Sequence, residues 1–274
     1  RRVLRQPSQY SMHTQCAKFV PHPVDFCPNR SPRAVHEVML KHIAGKEIVE
    51  IGTHGGDGLS CFAQVAKRAT GIECCRKDCK TLLARTGAMN SAGMRGFKVI
   101  CADYRIAPAN LDADIFTWWQ HPPHLWNHRI LAELRLRQLQ GRVRLDAVAI
   151  FLADRYFAKD RESWRSFEGR FLWQETVTFD EVALCHGLHN GSLRSAASCA
   201  RARGAFNVGS IRIADLGWNI TADGRGATRW QPPHDGGRPQ LMLTPEKPTS
   251  DMLSAGNVLL RPGEKSQVGM CTAC

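Results

Sequence analysis

Residues 47–61 read EIVEIGTHGGDGLSC. Ile48, Val49 and Ile51 form an apolar run suited to a buried strand, and Gly52, Gly55, Gly56 and Gly58 follow at once. Removing side chains directly after a strand either makes a tight turn or lets the backbone approach a ligand. The loop then leads into a helix expected to begin at Leu59. A strand, a glycine loop and a helix in that order form half of a crossover unit. No other stretch constrains the fold as much.

The unit repeats along the chain. A first helix is expected from Ser31-Pro32-Arg33, where Ser31 caps and Pro32 suits the first turn, and Gly45 ends it. Strands are expected at Glu47–Ile51, Thr70–Cys74, Phe97–Cys101, Ala113–Trp118 and Leu145–Leu152. Helices are expected at Leu59–Ala69, at Lys77–Asn90 with Leu82 and Leu83 inward, at Leu125–Leu139 and at Arg161–Phe171. Two further strands, Glu175–Phe179 and Phe206–Ile213, have no ordinary helix between them and are expected to pair antiparallel. Such alternation builds a parallel sheet with helices on both faces. The fold class is therefore α/β: three-layer and doubly wound, with a mostly parallel seven-stranded sheet and a terminal antiparallel pair. Residues 1–30, with Pro7, Pro21, Pro23 and Pro28, read as an irregular arm. Residues 31–220 read as the domain, and residues 221–274 as a flexible tail rich in glycine and proline.

Composition narrows the partners. No apolar run approaches the roughly 20 residues that span a bilayer, so no membrane span is expected. The net charge of +12 is spread along the chain with a bias to its N-terminal part. A diffuse surplus favours anionic partners in general. No segment interleaves aromatic and basic residues as an RNA-binding sheet does, so nucleic acid is not indicated. Eleven scattered cysteines in a chain of this length read as reduced thiols in an intracellular, cytoplasmic protein. The chain starts at Arg1, which reads as an incomplete N-terminus. Residues 1–24 carry Arg1, Arg2, Arg5 and Lys18 without an acid and read as a basic leader, with organelle targeting as the alternative.

Ligands of parallel sheets bind beyond the carboxyl ends of the strands, where the glycine loop lies. The G-x-G-x-x-G pattern of dinucleotide sites fails here, because His54 stands two positions after Gly52. The G-x-x-x-x-G-K-[ST] phosphate loop fails for want of its lysine. Three acids fall on the same rim: Glu50 before the loop, Glu73 at the end of the second strand and Asp103 after the third. A carboxylate at the second position can accept two hydrogen bonds from a ribose diol. One near the first loop suits a cationic ligand, and one by the third strand suits an adenine amino group. The bland alternative makes Glu50 and Glu73 ordinary strand-end acids paired with arginine or lysine.

The motifs VEIGTHGGDG (49–58), GIE (71–73) and CADY (101–104), in this order, resemble those of the class I S-adenosylmethionine-dependent methyltransferases. The resemblance spans about Ser31–Leu216 and implies S-adenosylmethionine as cofactor. It implies that Glu50, Gly52, Thr53 and Gly56 line the methionine end. Glu73 would bind the ribose hydroxyls, Asp103 with Tyr104 would meet the adenine, and Cys74 would flank the adenine face. In that family the end of the fourth strand faces the methyl group. Here it reads WWQHPPH (118–124), where amino-group methylators carry N/D-P-P-Y/F. The prolines match and the flanking residues do not, which speaks against methylation of a base or amide nitrogen; the near-minimal sheet, without a target-recognition insert, turns the expectation toward a small-molecule acceptor. Trp119, Gln120 and His121 are the candidate acceptor-side residues, with His121 or His124 as a general base for a hydroxyl. Trp118 reads as packing. His121, His124 and His128 lack a clear fourth ligand, so no metal is expected. Two other readings stand beside the enzyme: an inactive cofactor-binding or interaction module on the same fold, and a nicotinamide-dependent oxidoreductase, disfavoured by the broken glycine pattern.

Overall fold

The computed structural model describes Cys16, Phe19 and residues 33–105, 107, 111–118, 125–155, 158–182, 201–216, 219–222 and 228–231. The chain runs α1 (Arg33–Ile43), β1 (Glu47–Ile51), α2 (Asp57–Val65), β2 (Arg68–Glu73), α3 (Arg76–Ser91), β3 (Lys98–Cys101) and β4 (Ile115–Trp118). It continues through α4 (Leu125–Leu139), β5 (Val148–Asp154), α5 (Ala158–Arg165), β6 (Phe171–Val182) and β7 (Arg201–Arg212). A 3-10 turn at Ile213–Leu216 follows, then β8 (Asn219–Ala222) and β9 (Thr228–Gln231).

The seven-stranded sheet has the order β3-β2-β1-β4-β5-β7-β6. β1 is parallel to β2 and β4, β2 to β3, and β4 to β5. β7 is antiparallel to both β5 and β6. The chain thus winds outward from β1 to β3, returns to β4 beside β1, and leaves a switch point between β1 and β4. The expected sheet, with its late antiparallel pair, is the one observed. β8 pairs antiparallel with β9 in a separate two-stranded sheet, across the boundary drawn at residue 220.

Alternation along the strands sorts the core into two faces. Ile48, Ile115, Ile150 and Val208 pack with Val35, Met39, Leu40 and Ile43 of α1, Leu59 and Phe62 of α2, and Leu82 of α3. Val49, Ile51, Phe116, Phe151 and Ile211 pack with Ile130, Leu131 and Leu134 of α4 and Trp164 of α5. Covering on both faces is why these strands read as continuous apolar runs. Glu50 shares the face of Ile48, two residues away, and so points to the side of α1 and α2.

Several expectations are corrected. α2 ends at Val65 because Ala66 is already extended, with ψ 152°, so Ala69 belongs to β2. Leu83 is 51% exposed while Leu82 is buried; neighbours on a helix lie about 100° apart, and only one can face the sheet. β6 takes Phe171, the expected end of a helix, and runs well past Phe179.

The cysteines are the largest correction. Cys16 is bonded to Cys61, and Cys79 to Cys101, with Cα atoms 5.0 and 5.7 Å apart. Cys74 and Cys75 are disulfide-bonded as well. Every described cysteine is therefore in a disulfide, where reduced thiols were expected. Positions that look scattered in sequence meet because α3 starts beside the end of β3 and the N-terminal segment packs on α2. The intracellular, cytoplasmic setting inferred from free thiols loses that basis, since disulfides persist in oxidising compartments. Among the described residues, no helix is long and apolar enough to cross a membrane.

Candidate cofactor site

The glycine loop leaves β1 by one more ladder bond, from Gly52 N–H to the Ile72 carbonyl at 2.9 Å. Gly52 then turns with φ 72°, and no atom stands within 4 Å of where its side chain would begin. Gly56 N–H donates to the Thr53 carbonyl at 3.0 Å, closing a turn with His54 held at φ 50°. Gly56 itself has φ 78°, and a Cβ there would lie 2.4 Å from Leu82 Cδ2 of α3. Of the two alternatives for the glycines, the turn is observed. Gly56 is required by the turn and by α3, whereas Gly52 faces open space.

Glu50 lies beneath this loop. It is 6% exposed, and its Oε2 has no hydrogen-bond partner among the described residues. The buried Thr53 hydroxyl donates to the Glu50 backbone carbonyl at 3.3 Å. His36 of α1 reaches the same spot: a Cβ on Gly58 would stand 2.5 Å from His36 Cε1 and 3.3 Å from Glu50 Oε1. Burial raises the Glu50 carboxyl to about 8, opposed by the nearby Thr53 hydroxyl, with Asp57 and Glu73 adding to the rise. Burial lowers His36 to about 4, against the pull of Asp57. Burial thus favours the uncharged form of both side chains, and a cation brought against Glu50 would draw its carboxyl back toward ionisation.

Glu73 ends β2 and is 6% exposed. Its Oε2 accepts from His54 N–H and its Oε1 from Cys75 N–H, each at 2.8 Å. One carboxylate thus bridges the loops after β1 and β2. Each oxygen keeps further acceptor capacity. Cys74, beside it, is half-buried and disulfide-bonded. Asp103 pairs with Arg105, whose Nη2 lies 2.7 Å from Oδ2. Tyr104 is buried in the core cluster with Ile72 and Trp118, and burial raises its phenol. Its backbone carbonyl accepts from Arg137 of α4 at 2.7 Å. Neither Glu50 nor Glu73 forms an ion pair with arginine or lysine among the described residues; Glu73 is held by backbone amides instead.

On the acceptor side, Trp118 is 2% exposed and stacks on Phe151 at 5.7 Å, as read. Its Nε1 donates to Asn127, whose own amide donates to the Leu152 carbonyl, tying the ends of β4 and β5 together. Trp119, Gln120, His121 and His124 lie outside the described residues. A cavity lined by Glu47, Arg68, Lys98 and Asp112 opens at the opposite, amino-terminal edge of the sheet, away from the glycine loop. His36, Arg137 and Arg85 of α3 were missed in the sequence. No local pattern marks them, because each reaches the rim from a distant element.

The strand order and the reversed β7 match the class I methyltransferase fold. No family model matches the chain, and no curated protein matches it in sequence. Among solved structures it is similar to a Pyrococcus horikoshii protein that carries the assignment of an RNA methyltransferase, at 14% identity and TM-score 0.50, over 74% of this chain and 98% of that one. It is also similar to the tRNA (m1A58) methyltransferase of Aquifex aeolicus, at 13% identity and TM-score 0.47, over 72% and 76% of the two chains. The C-terminal domain of a precorrin-6Y methyltransferase from Rhodobacter capsulatus matches at 10% identity and TM-score 0.45, over 70% and 94%.

Proposed function

We propose that this chain transfers a methyl group from S-adenosylmethionine to a small-molecule acceptor. The observation that carries the reading is Glu50: a buried carboxyl with an unpartnered oxygen, placed under a glycine loop at the switch point. The residues present fit the cofactor. Glu50 would receive its ammonium, with Gly52, Thr53 and Gly56 lining that end. Glu73 would use its remaining lone pairs for the ribose diol. Asp103 would accept from the adenine amino group, with Tyr104 packed beneath it and Cys74 beside it. When bound, the cofactor supplies an electrophilic methyl on a sulfonium. The chain's own contribution is to orient the two partners in line, which alone can account for much of such a rate enhancement. Trp119, Gln120 and His121 are proposed for the acceptor side, with His121 taking the proton of a hydroxyl acceptor.

The test is a calorimetric titration of the purified chain with S-adenosylmethionine and with its demethylated product. Micromolar binding of both supports the cradle. No binding by the folded chain refutes it. Transfer of a labelled methyl group into a metabolite extract, against an RNA preparation, then decides the acceptor. Label appearing only in RNA overturns the small-molecule reading, and binding without any transfer favours the inactive module.

A further inference from the structure

Arg85 lies in the middle of α3, yet its guanidinium bonds entirely outside that helix. Nη1 donates to the Gly55 carbonyl at 2.7 Å and to the Asp57 carboxylate, and Nη2 donates to the Phe19 carbonyl at 2.8 Å. These acceptors belong to the glycine loop, the first turn of α2 and the N-terminal segment. That segment is held on α2 by the Cys16–Cys61 disulfide. Leu82, three residues earlier and so on the same face of α3, fills the space under Gly56.

The loop needs an external brace. Nothing lies within 4 Å of the side-chain positions of Gly52 and Gly55, so packing does not hold it there. The Gly55–Gly56 peptide is instead pinned at both ends. Its N–H is held by the Thr53 carbonyl and its C=O by Arg85. A guanidinium presents several donors in a fixed fork and can serve loop, helix and segment at once, which an ammonium on a flexible stem cannot.

We propose that Arg85 is a positioning residue for the cofactor: by fixing the apex of the glycine loop it presets the cradle above Glu50. This rests on the cofactor reading above. It assigns to α3 a part in cofactor binding, through a contact with the loop.

Two measurements test it. The first is amide hydrogen exchange of the ligand-free protein. Arg85→Ala is expected to speed exchange at residues 54–58 by about tenfold or more, the loss of a charge-assisted bond, while β4 and β5 keep their protection. The second is calorimetry with S-adenosylmethionine, where Arg85→Ala should weaken binding about tenfold or more. Arg85→Lys should recover part of it through Asp57. Thr81→Val is the control. Thr81 is exposed and its hydroxyl donates to the Lys77 carbonyl within α3, so its loss alters the helix without touching the loop, and affinity should hold. Unchanged loop exchange in Arg85→Ala overturns the proposal, as does an equal loss of affinity in Thr81→Val. If the wild-type chain binds no S-adenosylmethionine, the cofactor reading fails, and with it the positioning role. The exchange data then still show whether Arg85 holds the loop.

Discussion

Replacing Glu50 by glutamine separates the stability of this fold from the use of its pocket. Glu50 is enclosed, its Oε2 is unpartnered, and its carboxyl is pushed up from 4.5 to about 8, mainly by burial. In the unfolded chain it ionises near its ordinary value. Between those two values the folded state keeps a proton that the unfolded state has released. Stability therefore falls as pH rises through that window and is flat on either side of it. At about 1.4 kcal/mol per unit, the loss across the window is of order 5 kcal/mol. His36 acts in the opposite sense. Burial lowers it to about 4, so it costs stability as pH falls from 6.5 toward that value. Measuring wild type against Glu50→Gln at each pH cancels His36, which is present in both. Glutamine keeps the shape and cannot ionise. The variant should gain on the wild type by several kcal/mol between pH 5 and pH 9, as read by urea unfolding of the ligand-free proteins. It should also bind S-adenosylmethionine more weakly, the usual exchange of stability for function at a binding site. A stability difference that stays constant over this range refutes the reasoning.

Three further outcomes follow from the same geometry. Gly56→Ala combines a left-handed φ of 78° with a Cβ 2.4 Å from Leu82, and thermal unfolding should report a loss of roughly 2–5 kcal/mol. Glu73→Ala should weaken S-adenosylmethionine binding by about tenfold or more. It should also speed exchange at the His54 and Cys75 amides, which lose their acceptor; unchanged affinity in a folded variant removes Glu73 from the site. The Cys79→Ser/Cys101→Ser variant opens a bridge across a sequence separation of 22 and should lower unfolding stability by about 3 kcal/mol. Peptide mapping without reductant checks the pairing directly.

What could be read from the order of residues was whatever depends on near neighbours. Ile48, Val49 and Ile51 before Gly52 mark a buried strand meeting a turn, and the repetition of that unit specifies a parallel sheet. Glu50, Glu73 and Asp103 could be assigned to one rim because each follows directly from where its strand ends. The helix limits slipped where a signal served two elements. Ala69 suits either a helix or a strand, and Leu82 and Leu83 look equivalent until one face meets the sheet.

The rest arose from packing between elements far apart in the chain. His36 lies beside Glu50 because α1 crosses β1 on the face of Ile48. Arg85 grips Gly55 because α3 runs beneath the loop after β1. Cys79 meets Cys101 because α3 begins where β3 ends, which turned thiols read as free into a bridge. Local residue patterns carry strands, turns and rim acids, since those follow from backbone geometry. The environment of each buried charge, and the partner of each cysteine, exist only once the sheet and both helix layers have closed around them.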